Sequence, residues 1–117
     1  MEKTIEYVLS QFDYDFINHI KKLREKNNIS QEQLSLKMGL ARSFIGNVEN
    51  IRERHKYSTR HITLLAKAFG FKKVSDLLQF PTPQYDKIKV TVKQTFNETG
   101  TKVLKSEVVK IEAIKRF

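Results

Sequence analysis

A chain of 117 residues, 39% hydrophobic and 30% charged, is long enough for one small domain with an appendage and is balanced like a globular protein. It has no cysteine, which excludes a disulfide scaffold, a thiolate zinc site, an iron–sulfur cluster and thiol catalysis. Its formal charge of +9 is concentrated in residues 17–80, where 13 cations stand against five anions, the distribution of a phosphate-binding surface.

No apolar run approaches the roughly 20 residues that a membrane span needs. The first residues, Met1 to Tyr7, lack the basic-then-apolar order of a secretory signal. A soluble cytoplasmic protein without a membrane partner is expected. In chain order, Ile5, Val8, Leu9 and Phe12 recur at i, i+3, i+4 and i+7 and predict an N-terminal helical extension over residues 1–12. Asp13 or Asp15 is placed to cap a helix carrying Phe16, Ile17, Ile20 and Leu23, which ends at Asn27-Asn28. Ser30 and Gln33 form a capping box for a helix from about Gln31 to Met38, and Gly39 stops it after two turns. Another short helix is expected from about Ala41 to Asn50, followed by a basic loop from Ile51 to Lys56. Ser58 then caps a helix carrying Ile62, Leu65, Ala66 and Phe69 and closed by Gly70, and Val74, Leu77 and Leu78 complete a last one.

Pro81-Thr82-Pro83 disfavours continuing a helix, so residues 13–80 read as one helical domain and 81–84 as a linker. Within residues 85–117, Ile88, Val90, Val92 and Phe96 alternate with lysines and threonines, the pattern of a half-buried strand. Asn97-Glu98-Thr99-Gly100 reads as a four-residue turn into a second strand with Val103, Val109 and Ile111. Leu104 and Val108 break that strand's alternation, which implies a bulge or two covered faces. A two-stranded hairpin is marginal alone. Ile88, Val90 and Val92 are therefore expected either to cover the helical core or, the favoured reading, to form a dimer interface.

The stretch Ile20-Lys-Lys-Leu-Arg24, Ile29-Ser-Gln-Glu-Gln-Leu34, Met38-Gly-Leu-Ala-Arg-Ser-Phe-Ile45, Val48-Glu-Asn50 and Leu65-Ala-Lys-Ala-Phe-Gly70 resembles the phage Cro/repressor (XRE-type) helix-turn-helix family. The resemblance covers about half of the chain. It implies a mainly α fold: a five-helix, lambda-repressor-like DNA-binding domain, here with the N-terminal helical extension and a C-terminal β-hairpin. It implies double-stranded DNA as partner, a homodimer on a partly symmetric operator, and a nucleoid-associated location.

On the third helix, Arg42, Ser43, Gly46 and Asn47 share one face and Phe44, Ile45 and Val48 the opposite one. The polar face suits base edges in a major groove: Arg42 for guanine, Asn47 for adenine, Ser43 for either. By the resemblance, Gln31 and Asn50 bind phosphate, and Arg24 and Glu49 form an internal ion pair that fixes the recognition helix. Four departures from the family pattern stand out. Ala41 replaces a capping residue, Ile51 replaces a glycine, the basic loop is about three residues longer, and Leu36 sits at a normally polar position. Arg52, Arg54, Lys56 and Arg60 are placed to supply further phosphate contacts.

His19, His55 and His61 have no metal-ligand spacing, no cofactor motif is present, and no residue set supports an enzyme. The leading reading is a sequence-specific transcriptional regulator that represses by occlusion. The alternatives are an antitoxin-type regulator whose tail binds a toxin, and a non-specific nucleic-acid-binding or protein-interaction adaptor.

Overall fold

The structure, a computed structural model, describes residues 1–117. Its elements are β1 (Glu2–Ser10), α1 (Gln11–Lys26), α2 (Gln31–Lys37), α3 (Phe44–Glu49), a 3-10 turn (Ile51–Glu53), α4 (Thr59–Phe69), α5 (Val74–Leu77), β2 (Lys87–Phe96) and β3 (Val103–Lys115). With 40% helix and 27% strand, the chain is not mainly α. It divides into a helical unit, residues 13–82, and a sheet unit made of residues 1–12 and 83–117.

The N-terminal segment corrects the sequence reading. Residues 2–10 are a strand, not a helical extension, and pair antiparallel with β2: Ile5 with Val92, Tyr7 with Val90, Leu9 with Ile88. The segment carries both periodicities, since Ile5, Tyr7 and Leu9 also alternate. Pairing decides between them, because β2 and β3 alone make a marginal ribbon that a third strand stabilises. On the other face Lys93 reaches Glu2 at 2.6 Å and Lys89 reaches Glu6 at 2.9 Å. These pairs hold Glu2 below the usual carboxylate range and raise Lys89 and Lys93.

The sheet order is β1-β2-β3, so β2 is central and β3 is an edge. The irregular alternation in β3 resolves as three register shifts against β2, at which Leu104, Val109 and Ile114 have no opposite residue. These residues stand five apart. The β2–β3 connection is six residues, 97–102, rather than four. Asn97 organises it by accepting hydrogen bonds at Oδ1 from the Thr101 and Lys102 amides, at 3.0 and 3.2 Å.

Within the helical unit, Phe16, Ile20, Leu34, Met38, Ile45, Val48, Tyr57, Leu65, Ala66 and Leu77 form one buried cluster. α1 starts at Gln11, before either candidate aspartate cap, and Asp13 lies in its first turn. The capping box of α2 is formed in full, with Gln33 N donating to Ser30 Oγ at 3.0 Å and Ser30 N to Gln33 Oε1 at 2.8 Å. Gly39 then takes a left-handed φ of +73°, which lets the chain leave α2 without the strain a side chain would bring. No helix is long and apolar enough to cross a membrane.

Leu34 is fully buried at the centre of this cluster. Leu34→Ala should cost about 2–5 kcal/mol through lost transfer energy and an unfilled cavity. Urea denaturation followed by far-UV circular dichroism measures the loss; a change under about 0.5 kcal/mol would contradict this core.

Candidate nucleic-acid interface

α3 has only six residues, too few to be stable through its own hydrogen bonds. Its position is therefore set by what it is tied to. Arg24, near the end of α1, donates from Nε to Glu49 Oε2 at 2.9 Å and from Nη2 to Glu49 Oε1 at 2.8 Å. Its Nη1 donates to the Ile29 carbonyl at 2.9 Å. The Arg24 and Glu49 side chains are 11% and 3% exposed, so this is a desolvated, bidentate pair. The hydrogen bond and the nearby carboxylate hold the Arg24 guanidinium above its usual pKa, against the opposing effect of burial.

Gln31, at the start of α2, donates from Nε2 to Glu49 Oε1 at 3.0 Å. The side chain expected on phosphate is thus engaged with α3. Gly46 has a corresponding role: a Cβ there would lie 3.2 Å from Gln31 Oε1, closer than packed atoms normally come. Gly46 contributes no side chain to a base; it makes room for Gln31 beside α3.

Ser35 was not singled out in the sequence. Fully buried, it donates from Oγ to the Gln31 carbonyl at 2.9 Å and accepts from the Ile45 amide at 3.0 Å. A small hydroxyl residue next to Leu34 in a core-facing turn was the available signal. It satisfies a buried amide in the first turn of α3 that no intrahelical carbonyl can reach.

Arg42 and Ser43 precede α3 rather than lying on it, which corrects the expected start near Ala41. The cause is the missing cap: Ala41 has no side-chain acceptor, Ser43 sits at the N-cap position in a helical conformation, and its side chain makes no capping bond. Phe44 N instead donates to the Ala41 carbonyl and closes a turn. Arg42 is 79% exposed and lies 3.8 Å from Glu32, itself 57% exposed. Such a surface pair contributes about 0–1 kcal/mol, so a stronger anion can displace Glu32. Asn47 is half-buried on α3.

Asn50 caps the 3-10 turn, accepting at Oδ1 from Arg52 N at 3.1 Å and Arg52 Nε at 3.4 Å. Arg52, Arg54, Lys56 and Arg60 are all exposed, with Arg54 at a left-handed φ of 55° and Lys56 Nζ 3.8 Å from Asp13. The loop that carries the first three is anchored by Tyr57, which is buried against Phe16 and Phe44 with ring centroids 5.1 and 6.2 Å away, and Arg60 lies in the first turn of α4. Its hydroxyl is buried without a hydrogen-bond partner, and burial raises its pKa. Leu36 is 52% exposed.

His19 Nε2 lies 2.8 Å from the Leu77 carbonyl, and His55 is exposed. Ile88, Val90 and Val92, the expected dimer contact, are 2%, 0% and 1% exposed in the single chain. They belong to the central strand and are already covered, so they present no surface to a second subunit.

Residues 20–77 match the helix-turn-helix family. Among solved structures, the restriction-modification controller protein C.AhdI from Aeromonas hydrophila is 34% identical, over 53% of this chain and 89% of that one, with a TM-score of 0.45. No curated protein matches.

Two outcomes are expected. Glu49→Ala should cost about 3–5 kcal/mol, because it leaves the Arg24 charge buried and unpaired. A cost below about 1 kcal/mol in chemical denaturation would show that the pair does not hold α3. The second outcome concerns pH. His61 Nδ1 accepts from the Ser58 amide at 2.9 Å, so the ring must be neutral there, and burial with the nearby Arg60 lowers its pKa below the ordinary 6.5. The unfolded chain then binds the proton more readily, so this stability is complete above pH 6.5 and is lost as pH falls through the lowered folded value. His61→Gln keeps an acceptor at the third helical position and removes the titration. Between pH 8 and pH 5 the wild-type Tm should therefore drop more than that of His61→Gln, and parallel curves would refute the assignment.

Proposed function

The chain belongs to the XRE-type helix-turn-helix family, and from that premise we propose that it is a DNA-binding transcriptional regulator that represses by occupying a partly palindromic operator as a homodimer. The observation that carries the reading is the lock around Glu49. Arg24, Gln31 and Ser35 hold a six-residue helix in a fixed attitude while leaving Arg42, Ser43 and Asn47 outside the buried core. A short helix held rigidly by neighbours, carrying Asn47 and entered through a turn that carries Arg42 and Ser43, meets the requirement for reading base edges in a major groove.

In this reading Arg42 takes guanine, Asn47 takes adenine and Ser43 makes a short, unselective contact. Arg52, Arg54, Lys56 and Arg60 bind phosphate and set the register on the duplex. Asn50 supports them by shaping the turn beneath Arg52, and its phosphate contact is secondary to that cap. Gln31 contributes chiefly by buttressing α3.

Selection of bound sites from a random DNA library tests the whole reading: a recovered palindrome supports a dimeric operator, and unselected sequences refute specific recognition. Arg42→Ala and Asn47→Ala should each relax preference at one base position, at a cost of about 1–3 kcal/mol. Neutralising Arg52, Arg54 or Lys56 should instead weaken all sequences alike and flatten the log–log salt slope by about one unit per lost contact. A slope unchanged after all three are neutralised would remove this loop from the interface.

A further inference from the structure

The sheet unit has two edge strands, β1 and β3. β3 runs for 13 residues with β2 on one side and no strand on the other. Leu104, Val108, Val109, Ile111 and Ile114 on this strand are 46–61% exposed. So many exposed apolar side chains on an unpaired edge are a template for another strand.

The charges on β3 say which strand. Lys105, Glu107, Lys110 and Glu112 stand opposite Thr95, Lys93, Thr91 and Lys89, alternate residues of β2, so all four lie on one face. Their order, plus-minus-plus-minus, is antisymmetric about the Val108-Val109 step. Turned by a twofold axis through that step, the strand meets itself with Lys105 against Glu112 and Glu107 against Lys110, each pair occurring twice. A shift of two residues one way sets Lys105 against Lys110, and the other way Glu107 against Glu112. The unpaired Val109 of both copies falls at the axis, so the bulges coincide and the faces on either side stay in phase. The charged groups are accessible: Lys105 is 67% and Glu107 45% exposed, Lys110 is 63% and Glu112 38%.

β1, the other edge, lacks this property. Its charges on the same face are Glu2 and Glu6, both negative, so a second copy laid on this edge would meet no opposite charge there. Edge lysines and bulges ordinarily protect a strand from pairing. Here the lysines pair along their own strand, Lys105 with Glu107 at 3.8 Å and Lys110 with Glu112 at 3.5 Å, and their antisymmetric order lets a second copy in this register set an opposite charge across the edge from each.

We propose that the occupant of the β3 edge is a second copy of this chain, joined antiparallel across a twofold axis at Val108-Val109 into a continuous six-stranded sheet. This deepens the homodimer reading and rests on it for stoichiometry alone.

Sedimentation velocity on full-length protein without DNA tests it, using two charge variants. E107K/E112K makes the face all lysine and K105E/K110E makes it all glutamate. Wild type should sediment as a dimer, each variant alone should self-associate about tenfold or more weakly, and an equal mixture of the two should restore the dimer. Far-UV circular dichroism checks that the sheet survives loss of the Lys89–Glu112 contact, which is 3.6 Å in the wild type. Val109→Lys is the independent variant, because Val109 has no partner on β2; it should be monomeric with an unchanged spectrum. Wild-type protein that stays monomeric at micromolar concentration overturns both the interface and the homodimer. Charge variants that dimerise alone as well as wild type, or a mixture that fails to dimerise, overturn the interface only.

Discussion

The carboxylate of Glu49 is the constraint on which the helical unit depends. At 3% exposure its oxygens are cut off from water and need hydrogen-bond donors from the protein, and three supply them: two from Arg24 and one from Gln31. Those donors come from the end of α1 and the start of α2, and Arg24 also binds the Ile29 carbonyl between them. One buried charge therefore joins three helices at a point where the apolar core alone would not fix orientation. Hydrophobic contact through Ile45 and Val48 is non-directional. Hydrogen bonds to a bidentate carboxylate are directional, and they determine which face of a six-residue helix turns outward.

The same economy governs the surroundings of α3. Gly46 is small so that Gln31 can pass, and Ser35 closes the circuit by accepting the Ile45 amide. The basic loop is shaped by the Asn50-capped 3-10 turn and anchored by one aromatic side chain, Tyr57, within the core. Its cations stay in solvent, where their pairings contribute little to stability. Positive charge is thereby kept available for phosphate while the segment that carries it remains attached to the fold.

The sheet unit uses a different device. β3 carries an unmatched residue every five positions, Leu104, Val109 and Ile114, and each is apolar and exposed. Such bulges bend and twist a strand. They let a chain with pairs of adjacent apolar residues keep its charged residues on one face and Val103, Val108 and Ile111 on the other.

The sequence by itself determined what is local. The Ser30–Gln33 box, the end of α2 at Gly39, the helical stripes of α1 and α4, and the alternation of β2 are written in residues a few positions apart, where capping and periodicity act. The Arg24–Glu49 pairing was legible through family resemblance, since 25 residues separate the partners. Only the tertiary structure decided the rest. Residues 2–10 fit a helix or a strand, and hydrogen bonding to a strand some 80 positions away chose the strand, which in turn made β2 central and buried Ile88, Val90 and Val92. Gln31 bonds Glu49 rather than lying free because α2 and α3 meet at Gly46. In each case the deciding free energy comes from a partner distant in sequence, and neither propensity nor local pattern carries information about it.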